Sequence, residues 1–196
     1  MDKTVDFKIV EEPKKPIAMH PKKFGVWLFM ASVMMLFMSL TSAYIVRRAE
    51  GNWVYFELPR IFYYSTFIVI AGSITMQIAF LAAKRNLIKR LRLFLGISFV
   101  ISLTFLVTQY LGLVELVNQG HYFTGGNPSE SFFYVFPWLH GVHIVSAIIF
   151  LLIVWRSAVK GKINSNDTSQ IEMCATYWHF LGVLWVYLFV FLSLLR

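Results

Sequence analysis

Glu115, His140, His143, Glu172 and His179 interrupt stretches of the chain that are otherwise apolar. Imidazoles and carboxylates in such surroundings can bind haem iron, hold a metal ion, relay protons, or hydrogen-bond to one another where helices pack. Glu172 and His179 are seven residues apart, which puts them on one stripe of a helix. His140 and His143 are three apart and therefore neighbours. Thr104, Thr108, Gly112 and Glu115 share a face, with Gln109 beside it, so a Glu115–His140 hydrogen bond across a helix pair is a geometric expectation. A haem between His140 or His143 and His179 stays open, although bis-histidine sites usually draw paired histidines from facing helices. A zinc-like set of His140, His143 and Glu115 lacks the Glu/His helix motifs of di-metal bundles. A proton path through Glu172 and His179 is a further reading. Buried groups satisfied at helix interfaces is the favoured one.

The elements that must position these residues are five apolar runs. They are Phe24–Val46, Arg60–Ala83, Leu93–Val117, Phe132–Trp155 and Ile171–Arg196. Each is long enough to cross a hydrocarbon core of ~30 Å as a helix. Hydrophobic residues make up 58% of the chain and charged residues 14%, well below the roughly 25% charged of an ordinary soluble domain. The expected architecture is an all-α, polytopic bundle of five transmembrane helices over residues 24–196, preceded by a tail over residues 1–23.

Charge placement predicts how the bundle is oriented. Fourteen of the 18 Lys and Arg residues fall in the amino tail, in the loop after the second span (Lys84 to Arg92) and in the loop after the fourth. Arg47, Arg48, Arg60 and Arg196 fall on the other side. By the positive-inside rule the amino terminus is cytoplasmic and the carboxyl terminus periplasmic. The net charge of +8 is then topological, and no nucleic-acid partner is required. The tail, with Pro13, Pro16 and Pro21, does not read as a cleavable signal and is expected to be extended or poorly ordered before Pro21. Cys174 is the sole cysteine, so no internal disulfide forms, and its expected role is that of a small apolar filler.

Packing signals accompany the polar ones. Gly25, Ser32 and Ser39 repeat every seven residues in the first span, as do Ser65, Gly72 and Ala79 in the second. Such strips let another helix approach closely, which matters where lipid is as apolar as a side chain. Trp53, Tyr55, Trp138 and Trp155 lie near the expected boundaries and suit the aromatic belts.

Several motifs occur in order: Trp27 to Ser32, Leu58-Pro59 with Ser65-Thr66, Gln109 with Glu115, His140-Gly141-Val142-His143, and Glu172 followed by Tyr177-Trp178-His179-Phe180 and Trp185. Together they resemble subunit III of the haem–copper respiratory oxidases over nearly everything after residue 22. The first span resembles the third helix of the seven-helix members, so the chain looks like the five-helix bacterial form. Two positions depart from the family pattern. Val33 stands where the first-span motif commonly has a Glu, and Gly182 where the last helix often has an Asp three residues after the His. Both departures shift the expectation from proton chemistry towards structure.

The resemblance implies an accessory chain of the bacterial inner membrane with no cofactor of its own. Haem and copper would belong to subunits I and II. The chain would pack chiefly on subunit I, with subunit II and small accessory subunits nearby, and would support the complex's stability, bound phospholipid and proton uptake. Supercomplex membership stays open. The lipid cleft of seven-helix members lies between the first two helices and the rest, and this chain lacks that pair. Glu115, His140, His143, Glu172, Trp178 and His179 are expected to be buried structural groups. A haem-binding membrane cytochrome and a small transporter are the alternatives; a transporter would be expected to show internal repeats or broken helices.

Overall fold

A computed structural model describes residues 21–51, 53–54, 58–124, 127–161, 163 and 167–195. The tail before Pro21, expected to be extended or poorly ordered, and the belt residue Tyr55 lie outside the described residues. Five α-helices are described: α1 (Pro21–Ala49), α2 (Ile61–Lys84), α3 (Ile88–Asn118), α4 (Pro128–Val159) and α5 (Ser169–Leu195). All five are long and apolar enough to cross a membrane. The shortest has 24 residues, roughly 36 Å at 1.5 Å per residue.

α3 and α4 outrun their apolar segments because caps, not hydropathy, end helices. Lys89, Arg90 and Arg92 belong to the first turns of α3 rather than to a loop. The α2–α3 turn is only Arg85 to Leu87, and Asn86 adopts φ 54° there. The Leu87 N–H donates to the Ala82 carbonyl and the Asn86 N–H to Ala83, which closes α2 with a Schellman motif. α4 likewise starts four residues before the expected Phe132. The Asn127 side chain accepts from the Ser129 N–H at 3.1 Å, and Pro128 occupies the first helical position, where its missing N–H has no consequence. At the far end of α4, the Arg92 guanidinium donates to the Ala158 and Val159 carbonyls. Carbonyls of a last helical turn lack the usual partner four residues on, and this cation from α3 adds to the Gly161 N–H that donates to Ala158.

In space α2, α3, α4 and α5 form a closed ring of neighbours, and α1 lies outside it against α4 and α5. The α2–α3 pair is the most extensive. Its antiparallel register runs from Gly112 beside Ile61 and Phe62 to the Thr75–Ser98 hydroxyl bond of 2.9 Å. Ser65, Gly72 and Ala79 are buried in α2. A Cβ on Gly72 would lie 3.2 Å from Ile101 Cγ2 and 3.6 Å from Trp178 Nε1, so the absent side chain admits both α3 and α5.

The corresponding strip in α1 behaves differently. Gly25, Ser32 and Ser39 are exposed, and the face turned to the bundle is Met30, Val33, Phe37, Thr41 and Tyr44. A helix seated in the groove between two others fills it with large side chains, and the small ones face away. The Ser32 and Ser39 hydroxyls donate to the carbonyls of Phe29 and Leu36, so neither presents an unsatisfied polar group outward. α1 and α5 run parallel, held by Lys23–Glu172 near one end and Tyr44–Leu195 near the other.

Candidate functional site: the aromatic and polar centre of the bundle

His140 sits where the helices meet. Its side chain is fully buried, and its ring packs against Phe37 of α1, Phe105 of α3 and Trp185 of α5 at centroid distances of 6.5, 5.8 and 5.2 Å. The Trp185 indole N–H donates to Thr66 Oγ1 of α2 at 3.2 Å. One imidazole and one indole therefore link all five helices. Neither ring nitrogen of His140 has a hydrogen-bond partner among the described residues, and the same holds for both polar atoms of the buried Gln109 side chain.

The expected Glu115–His140 bond is not formed. α3 turns Phe105, Gln109, Gly112 and Leu116 inward. Glu115 precedes Leu116 by one residue, about 100° of helical rotation, and is exposed. Thr104 is exposed for the same reason. The inward polar residue of that stretch is Gln109.

His143 lies one turn along α4 on the α1 side. Its Nδ1–H donates to the Leu139 carbonyl at 2.7 Å, and its ring faces Phe29 and Phe37. The Ser146 hydroxyl donates to the His143 carbonyl and meets the Tyr177 hydroxyl at 2.7 Å, which joins α4 to α5. His179 lies elsewhere, on the α2 side of α5. Its Nε2–H donates to Gln77 Oε1 at 3.1 Å, lining a groove of about 670 Å³ between those helices. Trp178, its neighbour, is buried against Gly72.

Glu172 and His179 share a stripe of α5 but not a partner. Glu172 accepts from Lys23 Nζ of α1 at 2.8 Å while His179 reaches α2, so the stripe splits between two interfaces instead of forming one continuous polar seam. Gly182, one turn beyond His179 on α5, faces Ser73 of α2. A Cβ there would be 3.0 Å from Ser73 Oγ and 3.3 Å from Val69 Cγ1, so the glycine sets how closely α2 and α5 approach.

A second polar cluster, which the sequence reading did not anticipate, folds the α3–α4 connection over the end of α4. Gly120, at φ 87°, lets the chain reverse after α3, and the His121 N–H returns to the Leu116 carbonyl. His121 Nδ1 then lies 2.8 Å from Oε1 of the buried Glu130, and the Tyr134 hydroxyl donates to the His121 carbonyl at 2.7 Å. The only hint in the sequence is an acid in the first turn of a helix that follows an Asn-Pro cap.

These groups point to packing chemistry. Among the described residues, no three His, Cys, Asp or Glu side chains converge as a ligand set. His140 faces aromatic rings, His143 a backbone carbonyl, and His179 an amide on another helix. Each helix is also continuous from end to end, with Pro137 contained within α4.

Comparison with known proteins agrees with this arrangement. Residues 54–195 match the family described as Cytochrome c oxidase subunit III. The chain is 27% identical over 179 residues to cytochrome c oxidase subunit 3 of Bacillus sp. (strain PS3), covering 89% of this chain and 86% of that one. It is 29% identical over 186 residues to cytochrome c oxidase subunit 3 of Thermostichus vulcanus, covering 90% and 89%. It is 27% identical over 182 residues to cytochrome bo(3) ubiquinol oxidase subunit 3 of Buchnera aphidicola subsp. Acyrthosiphon pisum, covering 88% and 86%. Five membrane-length helices packed around His140, together with a family match that spans four of them and the approach to the first of those four, make this chain a member of the subunit III family of the haem–copper respiratory oxidases.

Proposed function

We propose that the chain is the accessory subunit III of a terminal haem–copper oxidase in the bacterial inner membrane. In this role it binds no redox cofactor, packs on the catalytic subunit I, and supports that subunit's durability, lipid surround and proton uptake. The observation that carries the reading is the commitment of His140, His143 and His179 to contacts with α5, α1 and α2 respectively, in a chain whose family is subunit III. A bundle whose polar groups are used internally has its outer helix faces left for neighbours. Phospholipid would fill whatever surface subunits I and II leave uncovered.

The test is to tag the chain and purify it from membranes in mild detergent. A large membrane subunit carrying haem should come down with it, and its reduced-minus-oxidised spectrum should belong to that subunit. Recovery of the chain alone with a haem of its own, or with partners that carry none, would overturn the proposal.

In the proposed orientation, the end bearing Lys23, Lys84, Arg92 and Glu172 faces the cytoplasm, and the His121–Glu130 cluster faces the periplasm. A reporter inserted at the Arg85–Leu87 turn should read cytoplasmic and one fused after Arg196 periplasmic. Both reading on one side would remove the orientation.

A further inference from the structure

The grooves on the outer surface differ in what stands at their mouths. The groove between α2 and α5, about 670 Å³, is lined by apolar side chains with Ser73, Gln77 and His179 and has no cation along it. The groove between α3 and α4, about 500 Å³, has Arg92 at one end, Gly96, Val100 and Ile101 along one side, and Trp155 along the other.

Three features of that second groove suit a lipid. Its length is the first: Arg92 to Ile101 is ~14 Å at 1.5 Å per residue, close to the ~15 Å of one leaflet of a ~30 Å hydrocarbon core. The second is its glycine. Gly96 puts no side chain into the groove; a Cβ there would make ordinary contact with the Trp155 ring, 3.7 and 3.8 Å from Cζ2 and Cη2, and a larger side chain would take up the space beside it. The third is the fixed cation. The Nε and Nη2 of Arg92 are held by the Ala158 and Val159 carbonyls at 3.1–3.3 Å, and its Nη1 has no partner among the described residues. A guanidinium locked along one edge presents its free edge with little further loss of side-chain freedom. Lys89 lies three residues before Arg92 on the same face of α3, and Arg156 is in the last turn of α4. These add positive charge at the same level of the bundle. A choline headgroup would bring a further cation among them, whereas a glycerol headgroup would not.

We propose that this groove binds one anionic glycerophospholipid. Its phosphate meets the Arg92 guanidinium, and one acyl chain lies along Gly96 to Ile101 against Trp155. The proposal deepens the lipid part of the role given above and rests on it for the membrane setting.

The test uses the full-length chain in vesicles of equal parts phosphatidylglycerol and phosphatidylcholine, extracted in mild detergent and weighed by native mass spectrometry. The unaltered chain should retain one phosphatidylglycerol, in preference to phosphatidylcholine by about tenfold, the scale of sparing one like charge beside Arg92, Lys89 and Arg156. Arg92→Gln should lower retention of phosphatidylglycerol by about tenfold, because it removes the guanidinium's contact with the phosphate. Gly96→Leu keeps every charge and fills the groove, and it should abolish retention of the lipid. Should Arg92→Gln loosen the end of α4, Gly96→Leu still decides. Equal retention of the two lipids by the unaltered chain overturns the proposal. So does phosphatidylglycerol held as well by Gly96→Leu as by the unaltered chain, which would leave a headgroup contact with no groove or a groove covered by something other than lipid. Failure of an oxidase to assemble with the chain would count against the accessory role alone, because this measurement is made on the isolated chain.

Discussion

Replacing Gly112 with valine should prevent α2 and α3 from closing on each other and remove most of the folded protein from the membrane. A Cβ at this position would lie 2.8 Å from Ile61 Cγ2 and 2.9 and 3.0 Å from the Phe62 ring atoms Cζ and Cε2. Phe62 cannot step aside, because it is buried and its ring packs on Phe133 and Trp185 at 5.6 and 6.3 Å. Overpacking of a closed core costs about 1–3 kcal/mol per forced adjustment. For alanine, the ~1 kcal/mol gain in helix propensity over glycine offsets part of that. Valine adds two more methyl groups and a stiff branch at the point of contact, so no such offset rescues it. Gly141→Ala is the control, since its nearest neighbour would be Leu106 Cδ2 at 3.9 Å, an ordinary contact. Thermal unfolding in detergent, together with the yield of membrane-inserted protein, should show Gly112→Val far below and Gly141→Ala at the unaltered level. Equal melting behaviour for all three would mean that the α2–α3 approach is not set by Gly112.

What the sequence revealed and what it hid follow one physical divide. The five spans were legible because water and hydrocarbon differ strongly, and a run of twenty apolar residues records that difference. Which face of each span turns inward was far less legible, because lipid is as apolar as a neighbouring Leu and leaves little amphipathic signature. Ser65, Gly72 and Ala79 are buried while Gly25, Ser32 and Ser39 are exposed, although the two strips have the same period. Only the position of α1 outside the ring separates them. Glu115 illustrates the same point: one residue of helical phase puts Leu116 in the core and the carboxylate outside. Helix ends went astray for a different reason. Asn86 and Asn127 act through local hydrogen bonds and Arg92 through bonds from α3 to the end of α4, none of which hydropathy records.

The partners of Glu172 and His179 had a signal that depth matching could have used. Gln77 lies seven residues before the end of α2 and His179 ten residues after the start of α5, so they sit two to three turns in from the same end. Lys23 and Glu172 are likewise level near the starts of two parallel helices. In contrast, the acid after the Asn-Pro cap did not identify His121 as the partner of Glu130. That contact depends on Gly120 reversing the chain.

Substitutions at His140 should separate a packing histidine from a ligand. The ring is enclosed by Phe37, Phe105 and Trp185, and neither nitrogen is paired among the described residues. An unpaired buried polar group costs about 1–3 kcal/mol, and an apolar group of similar shape removes that penalty. A large-to-small change instead leaves a cavity, at about 2–5 kcal/mol. His140→Leu should therefore retain much of the assembled oxidase, and His140→Ala should lose most of it. The haem spectrum per catalytic subunit should be unchanged in both, because the imidazole contributes volume at the junction of five helices. Amount of complex and haem content are read from the same preparation, one by the yield of tagged chain with its partner subunit and the other by the reduced-minus-oxidised spectrum. A haem band that falls in step with loss of the imidazole, equally for leucine and alanine, would make His140 an iron ligand and overturn the cofactor-free reading of this chain.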